Sequence, residues 1–371
     1  MGCCESTEER GNVHMSTVPH AKIMKMGNAY NDQFKNDSFD TEADTHDQVD
    51  YDLYSDFSDD SRSDDGEESD WDELTENATL ERLGYCKELF KSKPLKVILK
   101  HTHFSIRNIF NEIGPFKVKP TDIPSELKDD NLEFRCEAKN LGPDGFYLGQ
   151  WRSDTNTREG RGILVNAKKE IYEGFWFNGK QSGMGRFINL EGDVYQGMWK
   201  NGTPEGKGIL KNSEGMIYKG SWVRFTPHGM GYEVWKDGTC YLGEFKRGSK
   251  SREGHYRWID DSEYKGEVKN DKLHGEGVYT WKDGRCYSGQ FKSNKMHGQG
   301  VFKWADGRVY NGGFVKDNKE GEGEMIWPDG RRYIGQWIKG KQHGIGTVIG
   351  QDKSSKIGEF NEGNPIKWIK E

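Results

Sequence analysis

Residues 321–346 read Gly-Glu-Gly-Glu-Met-Ile-Trp-Pro-Asp-Gly-Arg-Arg-Tyr-Ile-Gly-Gln-Trp-Ile-Lys-Gly-Lys-Gln-His-Gly-Ile-Gly, and the way this stretch reverses direction decides the fold. Tyr333, Gly335 and Trp337 alternate with period two, so a strand here puts all three on one face. Trp327-Pro328-Asp329-Gly330-Arg331 supplies the reversal. Pro fits the first central position of a type I turn, and Gly fits the left-handed bulge position that follows. A three-residue loop of this kind pairs Trp327 with Arg331, Met325 with Tyr333, Gly323 with Gly335 and Gly321 with Trp337. A two-residue loop would throw the rings onto opposite faces. The one-sided pairing leaves slots at the glycines, into which rings from neighbouring strands can lie flat.

Outward from this hairpin the pattern repeats every 23 residues. Tyr172, Tyr195, Tyr218, Tyr241, Tyr264, Tyr287, Tyr310 and Tyr333 fall at that spacing without a slip, and Gly follows each by two. Four after the Tyr stands a Trp, Phe or Val, from Trp176 to Trp337. An earlier copy begins at Tyr147-Leu-Gly149-Gln-Trp151 with a two-residue insertion before Gly160, and a degenerate half-copy closes the series at Gly358-Glu-Phe360. A second strand is expected after each Gly-x-Gly pair, such as Gly275 and Gly277. Repeats that cannot bury a face alone stack on their neighbours. The fold class is therefore an all-β repeat array over residues 141–368, about nine repeats and a terminal half-repeat. It is an elongated, single-layer antiparallel meander of hairpins. One face carries the rings, and the other, read from Gln196, Lys219, Glu244, Lys265, Glu267, Gln290 and Gln336, is mostly polar.

The string Tyr-x-Gly-x-Trp-x-x-Gly-x-x-His-Gly-x-Gly, with its Asp-Gly turn, resembles the MORN repeat (membrane occupation and recognition nexus). Tyr333 to Gly346 matches it at each marked position, and the likeness runs over most of the residues after Tyr147. The resemblance implies a meander used as a protein-binding and self-associating scaffold at membranes and cytoskeleton, with phospholipid binding often proposed. Enzymes that resemble this family append a catalytic domain such as a methyltransferase or a phosphoinositide kinase, and the 146 residues before the array fit neither. Arg252 where Gly is usual, Asp261 in the Asp-Gly turn and the insertion after Trp151 depart from the pattern and predict local bends.

Ahead of the array the composition changes twice. Residues 1–80 hold 22 Asp/Glu and 5 Lys/Arg, a charge of 5 − 22 = −17, which leaves −7 + 17 = +10 for the rest. Residues 11–78 form an acidic tail too poor in apolar side chains to offset its ordering entropy, and they are expected to be disordered. Residues 79–140 form a cap or linker of short helical and extended pieces. Ser105 can cap a helix with Ile106, Ile109, Phe110 and Ile113 on one face, and Gly114-Pro115 ends it. Two readings of this basic segment compete: a lid that packs its apolar stripe on the sheet, and a helix that touches lipid. The lid is preferred, because open ends of repeat arrays need covering.

Residues 1–10 carry the chain's clearest modification signal. Met1-Gly2-Cys3-Cys4-Glu5-Ser6 fits the myristoylation pattern, with Cys3 and Cys4 available for palmitate. One myristoyl chain binds bilayers only marginally, so the cysteines supply the second anchor. The sequence thus predicts a non-catalytic, lipid-tethered scaffold at a cytoplasmic membrane face such as the inner plasma membrane. Its partner-binding face is assigned to Tyr264, Tyr287, Tyr310, Trp281, Trp304 and Trp327, for a protein partner or a second copy. Alternatives are a soluble cytoskeletal or ciliary scaffold, and direct binding of anionic phospholipid through Lys246, Arg247, Lys250 and Arg252. No cofactor, metal or nucleic acid is expected. His228, His274, His297 and His343 recur one or two repeats apart, roughly 10 Å or more, too far to share an ion. Cys240 and Cys286 read as small strand residues.

Overall fold

A computed structural model describes residues 92–370, apart from 119–121, 123, 125, 126 and 128–130 and the side chains of Ser92 and Cys136. The acylation motif at Gly2, Cys3 and Cys4, the acidic tail and residues 79–91 lie outside the described residues. The described chain falls into two compact units that divide after Met184. Its 21 strands belong to one antiparallel sheet.

In the first unit, α1 (Ser92–Leu99) and α2 (Phe104–Ile113) precede β1 (Leu132–Asn140), β2 (Phe146–Arg152), β3 (Thr157–Val165), β4 (Ile171–Phe177) and the start of β5 (Lys180–Ile188). Strands β1 to β4 pair in chain order. The amphipathic helix predicted from Ile106 and Phe110 is present, with both side chains buried and Gly114 at its end in the left-handed region at φ 71°. Its cap is His103 rather than Ser105: the ring Nδ1 accepts from the Ser105 backbone N–H at 3.4 Å and is hydrogen-bonded to the Ser105 hydroxyl at 2.7 Å.

From Gly185 onward the strands continue as a meander from β6 (Val194–Lys200) to β21 (Asn364–Lys370), each paired with the next. The register read from the opening stretch holds. Strands β17 (Asn318–Ile326) and β18 (Arg332–Ile338) pair Met325 with Tyr333, Gly323 with Gly335 and Gly321 with Trp337. The loop closes through Trp327 N–H to Arg331 O at 2.9 Å, with Gly330 at φ 89°. Within a repeat the reversal is a two-residue turn with both residues left-handed, as at Asn270 (φ 49°) and Asp271 (φ 62°). These turns also tie successive repeats together. Asp271, Asn294 and Asp317 accept from the backbone N–H of Lys250, Leu273 and Met296 at 2.7–2.8 Å.

One element differs from the sequence reading. The Gly-x-Gly pair does not precede the second strand; it lies inside it, at a bulge. In β12 (Glu263–Lys269) and β13 (Lys272–Thr280), Gly266 pairs with Gly277 and Val268 with Leu273, so His274, Gly275 and Glu276 face the single residue Glu267. Gly275 adopts φ 57°, and the Glu267 carboxylate accepts the Glu276 N–H at 3.0 Å. Gln150 does the same for Arg161 at 2.7 Å in an earlier repeat. The bulge thus fixes where glycine is needed and which side chain satisfies the freed donor. At the departures Arg252 and Asp261 the backbone keeps the glycine-like values φ 57° and φ 64°; pairing from Ser251 to Arg257 with the following strand is unshifted, and the bulge against the preceding strand is kept, between Gly243 and Phe245.

Candidate interaction surface

The glycine slots are filled as the pattern requires. A Cβ on Gly277 would stand 2.5 Å from the Tyr264 hydroxyl, so the ring lies where a side chain would be. That hydroxyl donates to Glu267 O at 2.7 Å, and Tyr287 and Tyr310 repeat the bond to Gln290 O and Gly313 O. The ring four residues later stands edge-on to two tyrosines, its own and that of the preceding repeat. Phe291 lies 5.0 Å from Tyr287 and 5.1 Å from Tyr264, and Phe314 lies 5.2 Å from Tyr310 and 5.1 Å from Tyr287. Each such contact contributes about 0.5–1.5 kcal/mol beyond the area it buries. The ladder couples neighbouring repeats wherever that position holds a ring; Val268 interrupts it, and there Tyr241, Tyr256, Trp258 and Tyr279 carry the contact at 4.5–5.3 Å.

This packing corrects the assignment of the partner-binding face. Tyr264, Tyr287 and Tyr310 have no exposed surface at all, and Trp281 is buried too. They are the core of the array, because the glycine slots and the edge-on rings enclose them from both sides. Trp304 and Trp327 are the two members of the set that remain half-exposed. Both sit beside the three-residue turns, where an arginine covers the indole: Arg308 lies 5.3 Å from the Trp304 ring and Arg331 lies 5.8 Å from the Trp327 ring. Each arginine is held by the turn aspartate at 2.7 Å, Asp306 and Asp329 respectively. Arg285, Asp283 and Trp281 make the same unit one repeat earlier. Sequence reading noted the Asp-Gly turns and the tryptophans but missed the arginine two residues after the Asp; its recurrence at 285, 308 and 331 was the available signal.

The basic group also comes apart. Lys250 is 2% exposed, its ammonium 2.5 Å from the Glu233 carboxylate and 4.7 Å from the Trp235 ring. Glu233 stands where other repeats place Phe187, Leu210 or Met325, and burial holds its carboxyl above the usual carboxylate range against the pull of Lys250. Arg252 pairs with Glu244 at 3.3 Å. Only Lys246, Arg247 and Arg252 remain exposed, so the four residues do not form one headgroup site. Burial removes Lys250 from it.

On the other face the two units differ. In β2 to β4, Leu148, Gln150, Arg161, Ile163, Glu173 and Phe175 are all buried, because the preceding segment covers them. His101 stacks on Phe146 at 3.6 Å, the Phe116 N–H donates to Glu173 at 2.9 Å, and Arg161 donates to Phe116 O. These contacts set the described part of residues 79–140 against the strands, in keeping with the lid reading of that part. Among the described residues no group of three or more His, Cys, Asp or Glu side chains could hold a metal ion, and Cys240 and Cys286 are free thiols.

Comparison with known proteins places this architecture. The MORN repeat matches at residues 172–192, 195–216, 218–240, 241–263, 264–284, 287–307, 310–331 and 333–355. Fold and repeat together define a repeat scaffold or binding module. The chain belongs to the MORN-repeat family, whose members are generally non-catalytic scaffolds. No curated protein matches it. Among solved structures, the TCP10 domain of Danio rerio CPAP is 14% identical, with 56% of this chain and 99% of that one covered and a TM-score of 0.33. The TCP domain of Drosophila melanogaster SAS-4, solved with a proline-rich motif of Ana2, is 9% identical, covering 54% and 90%, with a TM-score of 0.22. At these scores neither superposition carries an argument.

Proposed function

We propose that this protein is a lipid-tethered adaptor. Acylation at Gly2 and at Cys3 or Cys4 anchors it to a cytoplasmic membrane face, and the array binds a protein partner or a second copy through the strip of Trp304, Trp327 and their stacked arginines. The observation that carries the binding role is this strip. Half-exposed indoles under guanidinium groups recur at one repeat position, whereas the repeat tyrosines and the rings four residues after them are enclosed. Tryptophan and arginine are the side chains that most often dominate protein interfaces. The N-terminal hexapeptide carries the tether, since two acyl chains are what stable anchoring needs.

Proximity labelling from the full chain tests both halves. Gly2→Ala is expected to move the protein from the membrane to the soluble fraction and to change the labelled set. Trp304→Ala with Trp327→Ala is expected to keep membrane recovery and lose specific neighbours. Unchanged membrane recovery of Gly2→Ala removes the tether, and cosedimentation with cytoskeletal filaments in that case favours a soluble scaffold. An unchanged neighbour set in the tryptophan variant removes the strip.

A further inference from the structure

The lid has an outer side that the array does not use. In α1 the side chains of Ile98 and Leu99 are buried, and Lys93, Lys96, Val97 and Lys100 lie at i, i+3, i+4 and i+7 on the opposite side. All four are exposed. No acidic residue occurs in the helix. Four residues further on, Phe104 opens α2 with 68% of its surface exposed, and Val97 shows 43%. The Phe104 ring meets only the edge of the lid, tilted against His103 at 4.5 Å, and a lid that served only to close a sheet would have no use for an open phenyl ring so soon after three exposed lysines in the chain. Arg107 is occupied differently, its guanidinium donating to the carbonyls of Leu99, Lys100 and Thr102 to brace the corner between the helices.

We infer that this outer side docks on a bilayer surface rich in anionic phospholipid, with the lysines at the headgroups and Phe104 and Val97 in the interfacial layer. Charge complementarity selects a polyanion, and the two open apolar side chains select a bilayer over a soluble one. A phenyl ring gains from entering the headgroup boundary and gains nothing beside a hydrated acidic chain. Lysines near an anionic leaflet each strengthen attachment about fivefold, so three give about 100-fold. The contact does not depend on the proposed acylation, and it would lay the capped end of the array against the membrane.

Flotation with vesicles of phosphatidylcholine, with and without phosphatidylserine, tests it, using the full chain as Gly2→Ala so that acylation plays no part. The parent is expected to float with the phosphatidylserine vesicles and not with pure phosphatidylcholine, and to be released as salt rises to about 0.5 M. Lys93→Gln, Lys96→Gln and Lys100→Gln together are expected to lower partitioning about 100-fold, and Phe104→Ser about tenfold. All four side chains are exposed, and circular dichroism establishes that each variant is folded; a variant that is not is replaced by Lys96→Gln alone, expected to lose about fivefold. The inference is overturned if the parent fails to float, if it binds pure phosphatidylcholine equally, or if the lysine variants bind as the parent does. A loss with the lysine variants but none with Phe104→Ser assigns the patch to a soluble polyanion and overturns the bilayer. Loss of the tether in cells with flotation intact would leave this contact standing alone.

Discussion

Strands β2 to β4 and strands β12 to β19 (Lys341–Ile349) are built from the same repeat, yet the first group is buried on both faces and the second on one. Glu173 and Lys265 make the contrast concrete. They occupy the same repeat position, four repeats apart, directly after Tyr172 and Tyr264. Glu173 is buried, accepts from Phe116 N–H and lies 3.7 Å from the Arg161 guanidinium, whereas Lys265 is exposed and 3.8 Å from Glu263 at the surface. The repeat therefore fixes one face by its own rings and leaves the other to be written locally. Where a lid is present, that second face takes apolar and paired polar residues; where none is, it takes solvated ones.

The largest test acts on the face both groups share. Burial pushes the Tyr147, Tyr264, Tyr287 and Tyr310 hydroxyls far above their ordinary value, and Tyr333 up to about 12. A tyrosine whose folded pKa is raised favours the folded state fully below about pH 10, where the unfolded phenol is neutral, and loses that contribution as pH climbs toward the folded value. Stability should fall steeply above pH 10, with the whole array unfolding near or above pH 12. Absorbance at 295 nm would then rise together with loss of the far-ultraviolet dichroism. Phenolate appearing near pH 10 with the dichroism intact would show the rings are not enclosed.

The next test breaks the contrast directly. Glu173→Ala leaves the Arg161 charge and the Phe116 N–H without that acceptor beneath the lid, and is expected to cost about 3–5 kcal/mol. Lys265→Ala removes an exposed side chain and should stay within about 0.5 kcal/mol. Denaturant unfolding of both variants checks this. Equal midpoints would mean that the lid does not bury the second face.

Much of this was legible in the sequence, and what was not has a physical reason. Pro328 and Gly330 determine the turn, and the turn determines register, so the pairing of Met325 with Tyr333 follows from local chemistry alone. The bulge is not local in that sense. Gly275 is needed because three residues face Glu267, a fact about the partner strand that spacing within one strand does not report. The enclosure of Tyr264 is likewise collective, since its covering ring, Phe291, belongs to the next repeat. For the lid, a signal was present. Leu148 and Phe175 put apolar side chains where later repeats have Lys265, Glu267 and Gln290. An apolar side chain alone at these positions is not enough, since Ile334 and Met198 hold them while 42% and 39% exposed; the covered copies turn apolar at both positions on either side of β3, at Leu148 and Phe175.

The smallest effect concerns Arg252, which stands at the repeat bulge where the other described repeats from Tyr147 to Tyr333 have glycine. Gly160, Gly183, Gly206, Gly229, Gly275, Gly298, Gly321 and Gly344 all adopt φ between 57° and 94°, and Arg252 sits at φ 57° in the same place. An L-residue in the left-handed region costs about 1–2 kcal/mol, which glycine avoids. Replacing Arg252 also removes its 3.3 Å contact with Glu244, an exposed pair worth about 0–1 kcal/mol, and a new glycine loosens the unfolded chain by about 0.4–1 kcal/mol. These terms nearly cancel, so Arg252→Gly alone should change stability little. Arg252→Ala loses the same ion pair without relieving the backbone. The difference between the two variants therefore isolates the conformation, and glycine should exceed alanine by about 1 kcal/mol in denaturant unfolding. Coincident midpoints would mean that the bulge tolerates a side chain at no cost. The glycines of the other eight bulges would then answer to crowding by the facing side chain, such as Glu267 against Gly275, and not to backbone angle.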